Sequence, residues 1–289
     1  MKIGIISIER DNVVNDIIES CKKLNVDYKL VNPENIAIGI NMDFNIKYFK
    51  SSLLNIPIYF VRNLGYDNIF NFDILRYLEN FSDIVNPPKG IEFAGNKFLT
   101  SMMLEKYNLP QPKTVVTSSI SEAIYWIDCF EDVVIKPLIG CRGEGIIRIK
   151  KDMTITNKLE KLNKFKEKYK TFYIQEFIQP ISNEYKDIRA FVIDDEVFAY
   201  YRIGGDNWKN NVSCGAKIEM CRINDELEDL AIKAKEALNL FYAGVDVIES
   251  KDGYKVLEVN ATPSWEGLKK LNINISDILV KKMIRFSKC

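Results

Sequence analysis

Apolar and polar positions alternate along the chain in two textures, one typical of buried parallel strands and one of amphipathic helices. Ile3, Ile5 and Ile6 sit in a continuous apolar run, suited to a strand covered on both faces. Val13, Val14, Ile17, Ile18, Cys21 and Leu24 then recur at helical spacing, with Asp11 or Asn12 placed to cap the helix. Short apolar runs at 28–31 and 58–61 complete a β-α-β alternation. This pattern predicts an open α/β domain over residues 1–94, running out near Pro87 and Pro88. A helix with Phe98, Met102 and Leu104 follows, ending near Asn108. Beyond it the pattern predicts a strand at 114–116, a helix over 121–130, and strands at 132–137, 146–149 and 171–178. A charged helix over 158–170 is expected to turn Leu159, Leu162 and Phe165 inward. The last third predicts a hairpin of 187–193 and 196–202 over Asp194 and Asp195, then a helix over 225–240 with Leu227, Leu230, Ala231, Ala234 and Leu238 on one face.

The stretch 243–263 carries the most chemistry. Two β-branched runs flank Lys251, Asp252 and Gly253, so the segment reads as a hairpin. If Ser250 and Tyr254 close a three-residue loop, Ile248 faces Val256 and Asp246 faces Glu258, with Asn260 on the same face. Like charges opposed at about 5 Å are destabilising, and a cation bound between them removes the conflict. A hairpin with one solvated acidic face is the plain alternative. Val245, Val247, Val256, Leu257 and Val259 are too apolar for an open surface, which favours a hard divalent ion such as Mg²⁺ held together with phosphate oxygens.

Composition narrows the chemistry. The 289 residues carry 40 basic and 40 acidic side chains, so no general basic field recruits nucleic acid. No apolar run approaches the roughly 20 residues of a membrane span, and no signal-peptide layout opens the chain. The six cysteines form no C-x-x-C pair, which fits reduced thiols and a cytoplasmic location. The chain has no histidine, which excludes Ser-His-Asp and Cys-His catalysis and imidazole metal sites. The absence of H-R-D and D-F-G removes a protein kinase.

Gly140, Gly143 and Gly145 make a glycine-rich loop that enters a strand, so it is not a Walker A motif. With Lys136 leaving the preceding strand beside it, loop and lysine together favour phosphate binding over an ordinary turn. Arg62 and Asn63 follow a strand of the first domain directly, where ligand groups tend to lie in open α/β sheets; a surface arginine fits as well. Asp187, Arg189 and Arg202 read most simply as surface ion pairs of a hairpin.

Taken in order, Lys97, Lys136, the glycine loop, Gln175-Glu176-Phe177-Ile178, Asp187-Ile188-Arg189, Arg202, Asn211, Asp246 and Glu258-Val259-Asn260 resemble the ATP-grasp carboxylate–amine ligases, specifically the RimK-like glutamate ligases. The likeness covers residue 95 to the C-terminus. Phe60 to Gly65, Asn86 to Pro88, Tyr200 to Gly205 and Asn207 to Val212 look like the branch acting on the pterin coenzyme tetrahydromethanopterin. Deazaflavin-coenzyme and ribosomal-protein ligases are near relatives.

The resemblance implies an α/β and α+β architecture. The first domain would be followed by two ATP-grasp subdomains, 95–175 and 176–289, clamping ATP with two Mg²⁺ or Mn²⁺ ions. It implies that Lys97 and Lys136 contact phosphates, that Gly140, Arg142, Gly143, Glu144 and Gly145 fold over them, and that Gln175, Glu176, Phe177 and Ile178 line the adenine. Asp187 would lie near the ribose, with Arg189 also on the nucleotide side. Asp246, Glu258 and Asn260 would be metal ligands, with Glu258 bridging. Arg202 and Asn211 would be catalytic; Arg62, Asn63 and Lys209 would meet substrate, with an aromatic pocket near Tyr66. Where ribosomal-protein ligases read Arg-Ser-Asn, this chain reads Lys209-Asn210-Asn211, keeping charge but losing the guanidinium fork. The implied reaction joins L-glutamate to an acceptor carboxylate through an acyl phosphate, in a homodimer or homotetramer. A protein or carrier acceptor, and a nucleotide-binding regulator without ligase activity, are the alternatives.

Overall fold

The computed structural model describes residues 1–49, 51–65, 68–140, 143–179, 181, 184–205, 208 and 216–287. β1 (Lys2–Ile6) is buried from Ile3 onward because it lies between two parallel neighbours, β2 (Asp27–Val31) and β6 (Ile58–Val61). β7 (Asp83–Val85) extends this sheet beyond β6. α1 (Asn12–Lys23) crosses from β1 to β2. Its cap is Asp11, whose carboxylate accepts the Val14 N–H at 2.9 Å. α2 (Ile69–Leu78) crosses from β6 to β7.

A small antiparallel sheet of β3 (Ile36–Ile38), β4 (Ile46–Tyr48) and β5 (Ser51–Ser52) is inserted before β6. No hydrophobic pattern announces it, since strands of two or three residues are too short to display a period. α3 (Pro88–Gly95) and α4 (Lys97–Lys106) follow, and Asn96 caps α4 through the N–H groups of Phe98 and Leu99.

The central sheet, ordered β10-β9-β11-β8, is antiparallel throughout: β8 (Thr114–Thr117), β9 (Asp132–Lys136), β10 (Ile147–Lys150) and β11 (Phe172–Glu176). α5 (Ile120–Phe130) and α6 (Ile155–Tyr169) cover it, and Ile127, Ile135, Leu162, Phe165 and Phe172 fill the space between. Leu159 departs from expectation: it is 37% exposed, and Lys158 is inside instead at 5%. The Lys158 stem crosses the apolar layer and its ammonium meets Asp128 at 2.7 Å, so a charged residue occupies a core position by snorkelling.

The third large sheet, ordered β14-β13-β12-β15-β16, comprises β12 (Tyr185–Ile193), β13 (Glu196–Gly205), β14 (Lys217–Met220), β15 (Tyr242–Ser250) and β16 (Gly253–Asn260). α7 (Asp225–Ala237) lies on one face, with Leu227, Leu230, Ala231, Ala234 and Leu238 all buried. Ile91 of α3 and Leu104 of α4 join that core rather than the central one. α8 (Glu266–Lys270) and α9 (Ile275–Phe286) return to α1. Trp265 and Leu279 there share a core with Ile3, Ile5 and Phe191, which ties the first sheet to the last. Among the described residues no helix is long and apolar enough to cross a membrane.

The β15–β16 hairpin corrects the expected loop and keeps its consequence. Ser250 pairs with Gly253, not Tyr254, so the turn is Lys251 and Asp252 alone, and Ile248 faces Lys255 instead of Val256. Gly253 supports this tighter turn with a φ of 99°, a conformation other residues adopt only with strain. A bulge between Asp246 and Val247 then leaves Leu257 as an extra residue and restores the opposition of Asp246 and Glu258. Without it the acidic residues would point to opposite faces, because one residue of slip inverts a strand.

Candidate active site

The central and C-terminal sheets meet along a cleft of about 890 Å³ of empty space, part of it open to solvent. Val134, Ile146, Phe177, Ile178, Ile248 and Leu257 make an apolar wall; Lys136, Gln175, Asp187, Arg202, Asp246 and Glu258 make a charged end. A mostly apolar cleft with a few converging polar groups is the usual form of a small-molecule site.

At the charged end, Lys136 closes β9 and donates to Gln175 Oε1 at 2.7 Å. Burial lowers its pKa to about 8, against the pull of Glu258 and with the repulsion of Lys97. Lys97 opens α4, and its ammonium lies 3.2 Å from the Gly140 carbonyl and 3.4 Å from Glu258 Oε1. The phosphate-type cations, the start of the glycine loop and the acidic hairpin therefore occupy one neighbourhood.

Neighbouring strands bring four further charges together. Asp187 pairs across β12–β13 with Arg202, which donates through Nε and Nη2 at 2.6 and 2.9 Å. Arg202 Nη2 also lies 3.0 Å from Asp246 Oδ2. Arg189, cross-strand from Asp246, donates to Oδ2 at 3.1 Å. Its Nε is 2.5 Å from Asp246 Oδ1, but neither atom has an aligned hydrogen bond. Asp187, Arg202 and Asp246 thus line the cleft while Arg189 does not, and all four are almost dry rather than on the surface of a hairpin. Burial raises the Asp187 carboxyl above its ordinary range, opposed by Arg202. Burial would raise Asp246 too, but Arg189 and Arg202 outweigh it and hold that carboxyl below the ordinary range. Glycine at 244 makes room for Arg189: a Cβ there would fall 2.5 Å from Nη1 and 2.8 Å from Pro263 Cβ.

At the apolar end, Glu176 accepts the Lys113 N–H at 2.9 Å, and the Phe177 N–H donates to the Asp132 carbonyl. The Arg148 guanidinium stacks 3.4 Å from the Phe177 ring and is fixed by both oxygens of Asp132. Gly143 lines the cleft, and Gly143 and Gly145 have φ values of 74° and 70°. Glu144 between them is exposed. Arg142, Lys209, Asn211 and Tyr66 lie outside the described residues. Arg62 and Asn63 do not line the cleft; both donate to Asp11, and Arg62 also donates to the Thr262 carbonyl.

Asp246, Glu258 and Asn260 offer two carboxylates and an amide oxygen, all hard donors, and Asp246 Oδ1 is a buried oxygen without a hydrogen bond. That set fits Mg²⁺ chemistry. Among the described residues no group of three or more Asp, Glu, Cys or His side chains is assembled for a metal, so the fit rests on these three positions.

Residues 94–284 match the RimK-like ATP-grasp domain. The chain belongs to that family. It is 62% identical over 290 residues to the tetrahydromethanopterin:alpha-L-glutamate ligase of Methanocaldococcus jannaschii, covering all of both chains. It is 41% identical to the protein of the same name from Methanococcus maripaludis, over all of this chain and 99% of the other. Among solved structures, the ATP-grasp ligase PsnB complexed with a precursor variant, Mg and ADP superposes with a TM-score of 0.78 at 18% identity, covering 99% of this chain and 98% of that one. The fold is thus ATP-grasp, and the chain is an ATP-grasp ligase.

Sequence reasoning missed Trp208, Tyr185, Ile146, Ile248 and Leu257 as cleft residues. Ile248 was recoverable, because strand alternation puts it on the face of Asp246. Leu257 was not, because it reaches the cleft only through the bulge.

Proposed function

We propose that the chain joins L-glutamate through an α-linked amide to a side-chain carboxylate of tetrahydromethanopterin, converting ATP to ADP and phosphate. The observation that carries this reading is the 62% identity across the full length of both chains to a protein named for that reaction. The cleft geometry supports the chemistry. A carboxylate does not react with an amine in water because its oxygen is a poor leaving group. An acceptor oxygen attacks the γ-phosphorus of ATP, ADP departs, and the acyl phosphate so formed has phosphate as its leaving group. The glutamate amine then attacks the carbonyl carbon, the C–O bond breaks, and phosphate leaves.

Each charged group of the cleft has a place in this scheme. Lys97 and Lys136 offset phosphate charge, and the amides of Gly143, Glu144 and Gly145 supply donors for the same oxygens. Gln175 fixes the Lys136 ammonium, while Glu176, Phe177 and Ile178 border the base. Asp187 holds Arg202 with both oxygens, so we assign it to positioning that guanidinium rather than to the ribose. Arg202 stabilises the oxyanion that develops when the amine attacks. Asn211 is assigned to orienting the same intermediate. Asp246, Glu258 and Asn260 would hold Mg²⁺, which supplies charge neutralisation for the transferred phosphoryl group. Arg189 and Arg202 neutralise Asp246 from the neighbouring strands. The cytoplasm, where ATP and reduced thiols coexist, is the setting this chemistry needs.

The test is mass spectrometry after incubation with ATP, Mg²⁺ and L-glutamate, offering tetrahydromethanopterin and the deazaflavin coenzyme in parallel. One glutamyl increment on the pterin is expected. Modification of the deazaflavin alone would transfer the proposal to that acceptor, and no product on either would point to a carrier or a regulator.

A further inference from the structure

Arg62 follows β6 and Asn86 follows β7, so both stand at the carboxyl ends of neighbouring parallel strands, where open α/β sheets usually bind ligands. Here those ends are engaged in another task. Asn86 is fully buried, and its Nδ2 donates to the Ala261 carbonyl at 2.6 Å and the Tyr242 carbonyl at 2.8 Å. Arg62 is 9% exposed and donates through Nη1 to the carbonyl of Thr262, the next residue. The first domain therefore grips two consecutive carbonyls immediately beyond Asn260. Arg62 is in turn anchored by Asp11, which accepts its Nε at 2.9 Å, accepts Asn63 at 3.1 Å, and caps α1.

The grip reaches Asn260 in one further bond. The Thr262 N–H donates to Asn260 Oδ1 at 2.9 Å. A backbone N–H can address only the oxygen of a side-chain amide, so this bond decides which end of the Asn260 amide is which. An amide oxygen has a second lone pair and remains able to face a cation.

We propose that Arg62 is a positioning residue: by holding the Thr262 carbonyl it restrains the residue whose N–H aims the Asn260 oxygen at the metal end of the cleft, and it does not bind the acceptor. This rests on the metal role given to Asn260 above. Arg62 is poorly placed as a substrate group, because Asp11 offsets its charge and two of its nitrogens are already bound. Outer partners of metal ligands act in this way, and their loss typically costs about 10–100-fold in metal affinity.

The experiment titrates ADP calorimetrically into the full chain at a series of Mg²⁺ concentrations, alongside steady-state kinetics for tetrahydromethanopterin. Arg62→Met should raise the Mg²⁺ needed for half-saturation by about tenfold. Metal-free ADP affinity and the KM for the pterin should stay unchanged, and Arg62→Lys, which keeps one donor, should recover part of the loss. In an Asn260→Ala background, replacing Arg62 should add nothing, because residues acting through one group are not additive. A raised pterin KM with unchanged Mg²⁺ dependence would overturn the proposal, as would losses that simply add. If Asn260→Ala alone leaves the Mg²⁺ dependence at its wild-type value, the metal reading fails first and this inference fails with it.

Discussion

Replacing Arg202 with Met tests whether the cleft charges depend on one another as the distances indicate. The Arg202 side chain is 6% exposed and holds both oxygens of Asp187, which is itself 12% exposed. Removing the guanidinium leaves Asp187 buried without its cation, whereas Asp246 keeps Arg189. Breaking a buried pair in this way costs about 3–5 kcal/mol. The stranded carboxyl limits the loss by taking up a proton. At about 1.36 kcal/mol per unit, protonating a group whose ordinary value is 3.8 costs about 4.4 kcal/mol at pH 7 and about 1.6 kcal/mol at pH 5. In the variant the folded state therefore binds more protons than the unfolded state between those pH values, so its stability falls as pH rises. Urea denaturation of the nucleotide-free protein should show a penalty of about 4 kcal/mol at pH 7 that shrinks to less than half at pH 5. Adding Asp187→Asn should recover most of the pH 7 loss. An equal penalty at both pH values, or no recovery in the double variant, would refute the coupling.

Two further predictions concern the charged end. Glu258→Gln should leave folding within about 0.5 kcal/mol, since that side chain is 37% exposed, yet lower Mg²⁺-dependent ADP release by on the order of 10²-fold or more; near-normal turnover would remove Glu258 from the metal end. Lys136 loses its proton as pH rises through about 8, so metal-free ADP affinity should weaken by roughly tenfold per unit above that point. Lys136→Arg, charged throughout, should flatten that profile, and a wild-type affinity independent of pH from 7 to 9.5 would show that the ammonium makes no contact with phosphate.

The elements with a long period were legible in the sequence, and the arrangement of charges was not. α1, α7 and β1 could be read because their apolar positions repeat often enough to define a face. The insertion of β3 to β5 offers only triplets, and α6 disguises its inner face by burying Lys158 where Leu159 was expected. The opposition of Asp246 and Glu258 was reached through a wrong turn: the loop is one residue shorter than expected, and the bulge at Leu257 shifts the register back. No local pattern announces that compensation. From sequence, Asp187, Arg189 and Arg202 look like surface pairs apart from Asp246, because alternation gives the face of a strand but not what covers it. Their burial depends on the central sheet standing opposite and on the missing Cβ at Gly244, a tertiary fact that the local sequence does not carry.

The central claim is that the acceptor carboxylate itself takes the γ-phosphoryl group of ATP. The most direct measurement uses tetrahydromethanopterin labelled with oxygen-18 in its side-chain carboxylates, in a single turnover with ATP, Mg²⁺ and L-glutamate. ADP and inorganic phosphate carrying one labelled oxygen per amide formed are expected, because the oxygen that attacked phosphorus leaves with it. Unlabelled phosphate, or label found in AMP, would contradict it.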